Sequence, residues 1–224
     1  MMELLVLLAE IMLVNIVLSG DNAVVIAMAS RNLPETHRKK AVWWGAMAAV
    51  VLRIILTVIA VYLLKVPFIQ IAGALLLFWV AIQLLKDDGD SKNIAGAQSI
   101  WKAIRIIVMA DFVMSLDNVL AIASIANNNI WLMALGVALS IPVIVWGSQL
   151  IMALLHKFPI VVFIGAGILG YTAGEMLEDN ETLKKVLHNA GEWVDTLFPF
   201  VCGLLVMGIG YLLQRRERSR VQEA

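Results

Sequence analysis

The sequence predicts an all-α polytopic membrane protein: seven transmembrane helices, arranged as two inverted three-helix repeats plus a seventh helix, N-terminus outside and C-terminus inside. Three observations lead there. The 224 residues are 61% hydrophobic and 15% charged, whereas soluble domains run near half apolar and a quarter charged. Seven stretches approach the roughly 20 apolar residues that cross a bilayer as a helix. A polar motif recurs in the first and fourth of them at a constant offset of 96 residues. A soluble core of this composition would leave large apolar patches in water, which excludes a soluble enzyme, a nucleic-acid binder and a disordered tail.

The expected spans are 3–30, 41–64, 67–85, 100–126, 130–155, 159–177 and 197–213. They form one membrane domain over 1–224: a first repeat over about 3–86, a second over about 100–177, an extra helix over about 197–213 and a basic cytoplasmic tail, 214–224. The first span has no basic flank and carries Glu3 and Glu10, so it is expected to be a mature helix and not a cleaved leader. Alternating β-type patterns are few, which argues against a barrel. With the N-terminus outside, the inner segments hold thirteen Lys and Arg residues, among them Arg38, Lys39, Lys40, Arg215 and Arg216, against Lys65, Lys184 and Lys185 outside. That bias sets the orientation. The arginine-rich tail is a topology anchor on this reading, and the acidic stretch 178–195 is a solvated outer loop. Within it, Asn180-Glu181-Thr182 fits a glycosylation triplet, a pattern common by chance.

The repeat lies in the polar motifs. Asn15-Ile-Val-Leu-Ser19-Gly20-Asp21-Asn22 in the first span matches Asp111-Phe-Val-Met-Ser115-Leu116-Asp117-Asn118 in the fourth. The third and sixth spans echo each other more faintly: Gly73-Ala74 with Gly165-Ala166, Trp79 with Tyr171, Ala81 with Ala173, Gln83 with Glu175. A three-helix unit is odd-numbered, so its second copy is inverted in the membrane.

Asp21, Asp111 and Asp117 lie well inside apolar segments. Each costs about 2.5–3.5 kcal/mol at the bilayer centre on the mildest scale, so three approach the stability of a whole domain. Such acids persist when they pair or bind a cation. Arg53 is the only basic residue well inside a span and can neutralise one of them. The remainder points to a cation site. Its candidate ligands are the carboxylates, the Asn22 and Asn118 amides, the Ser19 and Ser115 hydroxyls, and Asn15. These are hard oxygen donors suited to Mg²⁺, Ca²⁺ or Mn²⁺. His37, His156 and His188 fall at loops or span edges and Cys202 is the only cysteine, so Zn²⁺ and Cu⁺ lack their usual ligands. Ser-Gly-Asp-Asn is poor mid-helix sequence, and both motif helices are expected to break or kink there, offering backbone carbonyls at the midplane. Glu10 and Glu175 are candidates, with Arg53, for an ion or proton path, though each acid is equally explained as an interfacial side chain.

Gly165-Ala-Gly167-Ile-Leu-Gly170 spells a dinucleotide fingerprint, but that motif needs a preceding strand and a βαβ unit. Inside a span, Ala166, Gly170 and Gly174 are instead a small-residue face for helix packing. No catalytic triad, metalloprotease or phosphate-loop pattern is present, and no enzymatic activity is expected.

The doubled motif, Leu18-Ser-Gly-Asp-Asn-Ala-Val-Val-Ile-Ala27 and Ser115-Leu-Asp-Asn-Val-Leu-Ala-Ile-Ala123, resembles that of the TerC family of integral membrane proteins, in particular its shorter bacterial, YjbE-like branch within the LysE-type exporter superfamily. The resemblance covers nearly the whole chain. It implies a manganese exporter in the bacterial cytoplasmic (inner) membrane, with Asp21, Asn22, Asp117 and Asn118 as metal-site residues and Asp111 as an additional acid. It favours Mn²⁺, which ligand chemistry alone leaves level with Mg²⁺ and Ca²⁺. The expectation is therefore divalent-cation efflux by alternating access around a midplane site, with proton exchange at Asp111, Glu10 or the aspartate pair as the coupling: a carboxylate stripped of its ion in a dry site is a natural proton acceptor. No cofactor beyond the transported ion and no nucleic acid is expected; the partners are the cation and the bilayer, and a homo-oligomer stays open. The alternatives are an exporter of amino acids or other small cations, and a membrane scaffold that helps metallate other proteins.

Overall fold

In the computed structural model the described residues are 2–63, 69–86, 96–125, 129–180, 183–184 and 192–222. They form eight long helices: α1 (Met2–Leu18), α2 (Gly20–Ser30), α3 (Glu35–Leu63), α4 (Ile69–Lys86), α5 (Gly96–Ile125), α6 (Ile130–Lys157), α7 (Ile160–Glu178) and α8 (Glu192–Gln222). There is no strand among the described residues. Among the described residues, four helical segments are long and apolar enough to cross a membrane: Ile69–Lys86, Ala134–Lys157, Ile160–Glu178 and Trp193–Leu213. Counting the bent pair Val6–Leu18 and Gly20–Ser30 as one span makes five. The expected seventh span, 197–213, is the middle of a longer helix, since α8 starts at Glu192 and its backbone stays helical through the basic tail to Gln222.

The first helix breaks where the sequence places its poorest helix formers. α1 and α2 meet at 51° across Ser19. Ser19 has φ −110° and ψ 13°, outside the helical well and in the sparsely populated bridge region. Its hydroxyl makes no capping bond to α2; it is turned instead toward Asn15 and Arg53. Asp21 occupies the first turn of α2, where a negative charge complements the helix dipole. The expected break in the fourth span is absent: α5 runs unbroken from Gly96 to Ile125 through Ser115, Leu116, Asp117 and Asn118. Two physical differences account for this. Leu116 replaces Gly20, removing the residue with the greatest backbone freedom. The Ser115 and Asn118 side chains bond to Asp111 and to the Leu18 carbonyl, and so do not compete for their own helix.

The helices fall into two compact units. One comprises Met1–Pro67 and Ala95–His156 and contains α1, α2, α3, α5 and α6; the other comprises Phe68–Ile94 and Lys157–Ala224 and contains α4, α7 and α8. In the first unit α5 is the central helix, packed on α1, α2 and α3. Ile26, Val42 and Ile107 form one buried cluster there, and Ile11, Leu132 and Val137 another. Gly45 admits Ile107, whose side chain would stand 2.8 Å from a Cβ at that position. In the second unit α7 packs on both α4 and α8. The small-residue face of α7 makes this approach possible: a Cβ on Gly174 would lie 2.7 Å from Pro199 Cα, and one on Gly170 would lie 2.7 Å from Val206. Cys202 is buried in the same seam. The outer faces are strongly apolar, with Trp131 82%, Leu150 75% and Leu204 66% exposed. Surface of this kind is stable against lipid and unfavourable in water.

The α7–α8 seam generates a stability test. Gly174→Ala drives a methyl group into backbone that cannot rotate away, and overpacking of this kind costs about 1–3 kcal/mol. Gly208→Ala, where a Cβ meets nothing within 4 Å, should be neutral or slightly stabilising. Unfolding of the purified variants in detergent checks both.

Candidate cation site

The polar residues of the duplicated motif converge inside the first unit. α1 supplies Asn15, the break supplies Ser19, α5 supplies Asp111 and Ser115, α3 supplies Arg53 and α6 supplies Ser140. Asn15, Ser19, Ser115 and Ser140 are no more than 1% exposed, Arg53 3% and Asp111 6%. Arg53 is the hub. Its Nη2 donates to Asp111 Oδ1 at 2.6 Å, closing a buried ion pair. Its Nε donates to Ser115 Oγ at 2.9 Å, and its Nη1 donates to Ser19 Oγ at 3.0 Å and to Asn15 Oδ1. Ser115 Oγ donates in turn to Asp111 Oδ2 at 3.2 Å. The Asn15 amide donates to Ser140 Oγ, and that hydroxyl donates to the Val137 carbonyl at 2.7 Å.

Four partners of the guanidinium are residues matched at the 96-residue offset. Asn15 and Asp111 accept from its Nη atoms, and Ser19 and Ser115 accept from Nη1 and Nε. The two motif copies thus form the two sides of one clamp around a planar cation, the geometry for which the rigid donor fork of arginine is suited.

The remaining predicted residues are placed differently. Asn22 is 5% exposed, and among the described residues neither its amide nitrogen nor its amide oxygen has a hydrogen-bond partner. It lines a cavity of about 30 Å³ shared with Asn15, Arg53, Asp111 and Ser140 and otherwise walled by aliphatic side chains. That volume is enough for a water molecule or a bare ion. Asn118 is partly buried, and its amide donates to the Leu18 carbonyl at 3.2 Å, satisfying an acceptor that the break in the first span leaves open. Asp21 is half-buried, and its Oδ1 accepts the Asn22 backbone N–H at 2.9 Å. Asp117 lies in α5, but its side chain is outside the described residues. Glu10 is exposed on α1, and Glu175 is exposed on α7 in the second unit. Among the described residues no three His, Cys, Asp or Glu side chains gather as a metal cluster; the convergence is one of amides, hydroxyls and Asp111. Ser140 is the participant that sequence reasoning missed. The available signal was its being the only hydroxyl between Ile130 and Gly147 of α6.

Helices of this apolarity around a buried ionic core define a multi-pass helical membrane protein. The chain belongs to the integral membrane protein TerC family, whose family model matches residues 2–218. It is 43% identical over 216 residues to the "Uncharacterized membrane protein YjbE" of Bacillus subtilis, covering 96% of this chain and 99% of that one. It is 28% identical over 163 residues to the "Uncharacterized membrane protein YceF" of the same organism, covering 68% of this chain and 63% of that one. A "Tellurium resistance protein TerC" of Alcaligenes sp. is 35% identical over 81 residues, covering 35% of this chain and 23% of that protein. No solved structure matches.

Removing one member of a buried ion pair strands the other, at about 3–5 kcal/mol. Asp111→Asn should lower stability by that order. The double variant Arg53→Gln/Asp111→Asn should recover at least about 1 kcal/mol relative to the sum of the two single losses. A double-mutant cycle by denaturant unfolding measures this, and simple additivity would show that the pair is not coupled.

Proposed function

We propose that the chain is a divalent-cation exporter of the cytoplasmic membrane, with Mn²⁺ as the preferred cargo. The observation that carries this reading is the Asn22 amide: a buried polar side chain with no partner, facing a small cavity beside the Asp111 carboxylate. Buried polar groups are nearly always satisfied, and leaving one unmade costs about 1–3 kcal/mol. A dehydrated cation supplies the missing partner for the amide oxygen. The donors around it are oxygens, the set that suits Mn²⁺, Mg²⁺ and Ca²⁺. The preference for Mn²⁺ rests on the resemblance of the doubled motif, and the names of more distant relatives connect the family to tellurium resistance.

In this reading Asp111 and Asn22 hold the ion, with Asn15, Ser19 and Ser115 within reach. Asp21, Asp117 and Asn118 complete the site or flank its approaches. The chain crosses the bilayer seven times, N-terminus outside, as two inverted repeats and an extra helix, and access alternates as one repeat rocks against the other. The break at Ser19 is the flexible point of that motion, and proton exchange at the aspartates drives it. Glu10, exposed on α1, serves the approach and not the site. An amino-acid cargo fits less well: its carboxylate would need the Arg53 guanidinium, which Asp111, Ser115, Ser19 and Asn15 already engage.

Cells lacking the chain should accumulate manganese, and wild-type protein should restore normal content where Asp21→Asn and Asp117→Asn do not. Elemental analysis across Mn, Mg, Ca, Fe and Zn is the readout. Normal manganese content and tolerance with both variants would remove the transport reading and favour a scaffold. Mn²⁺ movement into everted vesicles should rise with an imposed pH gradient; indifference to the gradient would remove the proton.

A further inference from the structure

The oxygen atoms that a cargo ion would use are already in use by the protein. Asp111 Oδ1, Asn15 Oδ1, Ser19 Oγ and Ser115 Oγ all accept hydrogen bonds from Arg53. The cavity next to them is otherwise walled by aliphatic side chains, so an ion that binds there takes protein oxygens in exchange for its water. A doubly charged ion and a guanidinium cannot share one carboxylate in a poorly screened interior, where like-charge repulsion is strong. Arg53 reaches in from α3, a helix separate from those that carry its acceptors, on a long side chain with several rotatable bonds.

We propose that Arg53 is a tethered competitor of the transported cation. The guanidinium occupies the clamp formed by the two motif copies when no ion is bound, and yields Asp111, Asn15, Ser19 and Ser115 when one arrives. This rests on the cation-transport reading and adds to it a specificity and release element. The empty site is neutralised by a charge that never leaves the protein. A monovalent ion replaces the guanidinium with no gain in charge, whereas a divalent one gains a full unit, which favours divalent cargo. Release of Ser19 from Arg53 frees the hydroxyl that stands at the N-cap of α2 without capping it, which links occupancy of the site to the break between α1 and α2.

The test is Mn²⁺ binding to the full-length chain, purified in lipid nanodiscs and titrated with MnCl₂, with free Mn²⁺ followed by electron paramagnetic resonance. Arg53→Gln removes the competitor and should bind Mn²⁺ at least tenfold more tightly than wild type. A residue that only holds the helices together predicts the reverse, since its loss would disorder the ligands. Arg53→Lys keeps a positive charge but loses the planar fork, and should bind at least threefold more tightly. It decides the question alone should Arg53→Gln fail to fold. Wild-type binding accompanied by unchanged or weakened binding in the folded variants overturns the competitor role and leaves transport standing. No Mn²⁺ binding by wild type or by either variant overturns both.

Discussion

The buried polar cluster of the first helical unit is arranged around the ion pair of Arg53 and Asp111. Two charges buried to this degree carry a desolvation penalty that their mutual attraction repays only if the remaining donors and acceptors are also satisfied. The protein meets that condition with three further residues: Asn15 on α1, Ser19 at the break and Ser115 on α5. The requirement explains why α5 is the helix on which α1, α2 and α3 all pack. It also explains why Ser19 gives up the capping role that its position offers. A cap is worth about 1 kcal/mol, less than leaving a buried guanidinium donor unmade.

The same constraint makes the two motif copies unequal. Both contribute a polar residue and a serine four positions apart to the clamp. Only one of them is acidic at the first position, because a single guanidinium carries one charge to neutralise: Asn15 stands where the other copy has Asp111. Only the first copy breaks its helix, and Asn118 of the second copy covers the carbonyl of Leu18 just before that break. What is left over after the clamp is filled is the unpartnered Asn22 amide. A second cation within about 4 Å of the guanidinium would be repelled by about 8 kcal/mol if doubly charged, taking an effective dielectric near 20. In the proposed reading, occupancy by cargo and the arrangement seen in this structure are therefore two states of one site.

Much of this was legible in the sequence. Helical membrane character followed from apolar runs separated by charged loops, and family membership from the doubled Asp-Asn motif. The first break was readable because Ser, Gly, Asp and Asn stand together in an apolar run. The fourth-span break failed because propensity counts residues and cannot see that Ser115 and Asn118 bond outside their own turn. Asn15, Ser19, Asp111 and Ser115 were legible as a cluster because intramembrane polar residues are conspicuous. That Arg53 could neutralise one of the acids was legible, and its ion pair with Asp111 is that neutralisation; that Asn15, Ser19 and Ser115 also close on it was not, since the arginine lies at no motif position and its reach depends on how α3 packs against α5. Ser140 escaped notice because one serine in an apolar helix is usually satisfied by its own backbone, as its bond to Val137 also does here.

The central claim is that this buried polar cluster moves divalent cations and does more than hold helices together. It is tested most directly by Mn²⁺ flux into sealed proteoliposomes that contain only the purified full-length chain. Saturable Mn²⁺ movement above that of protein-free vesicles is expected, reduced by competing divalent ions and little affected by Na⁺ or K⁺. Flux indistinguishable from protein-free vesicles, with the chain shown to be folded and inserted, would contradict it.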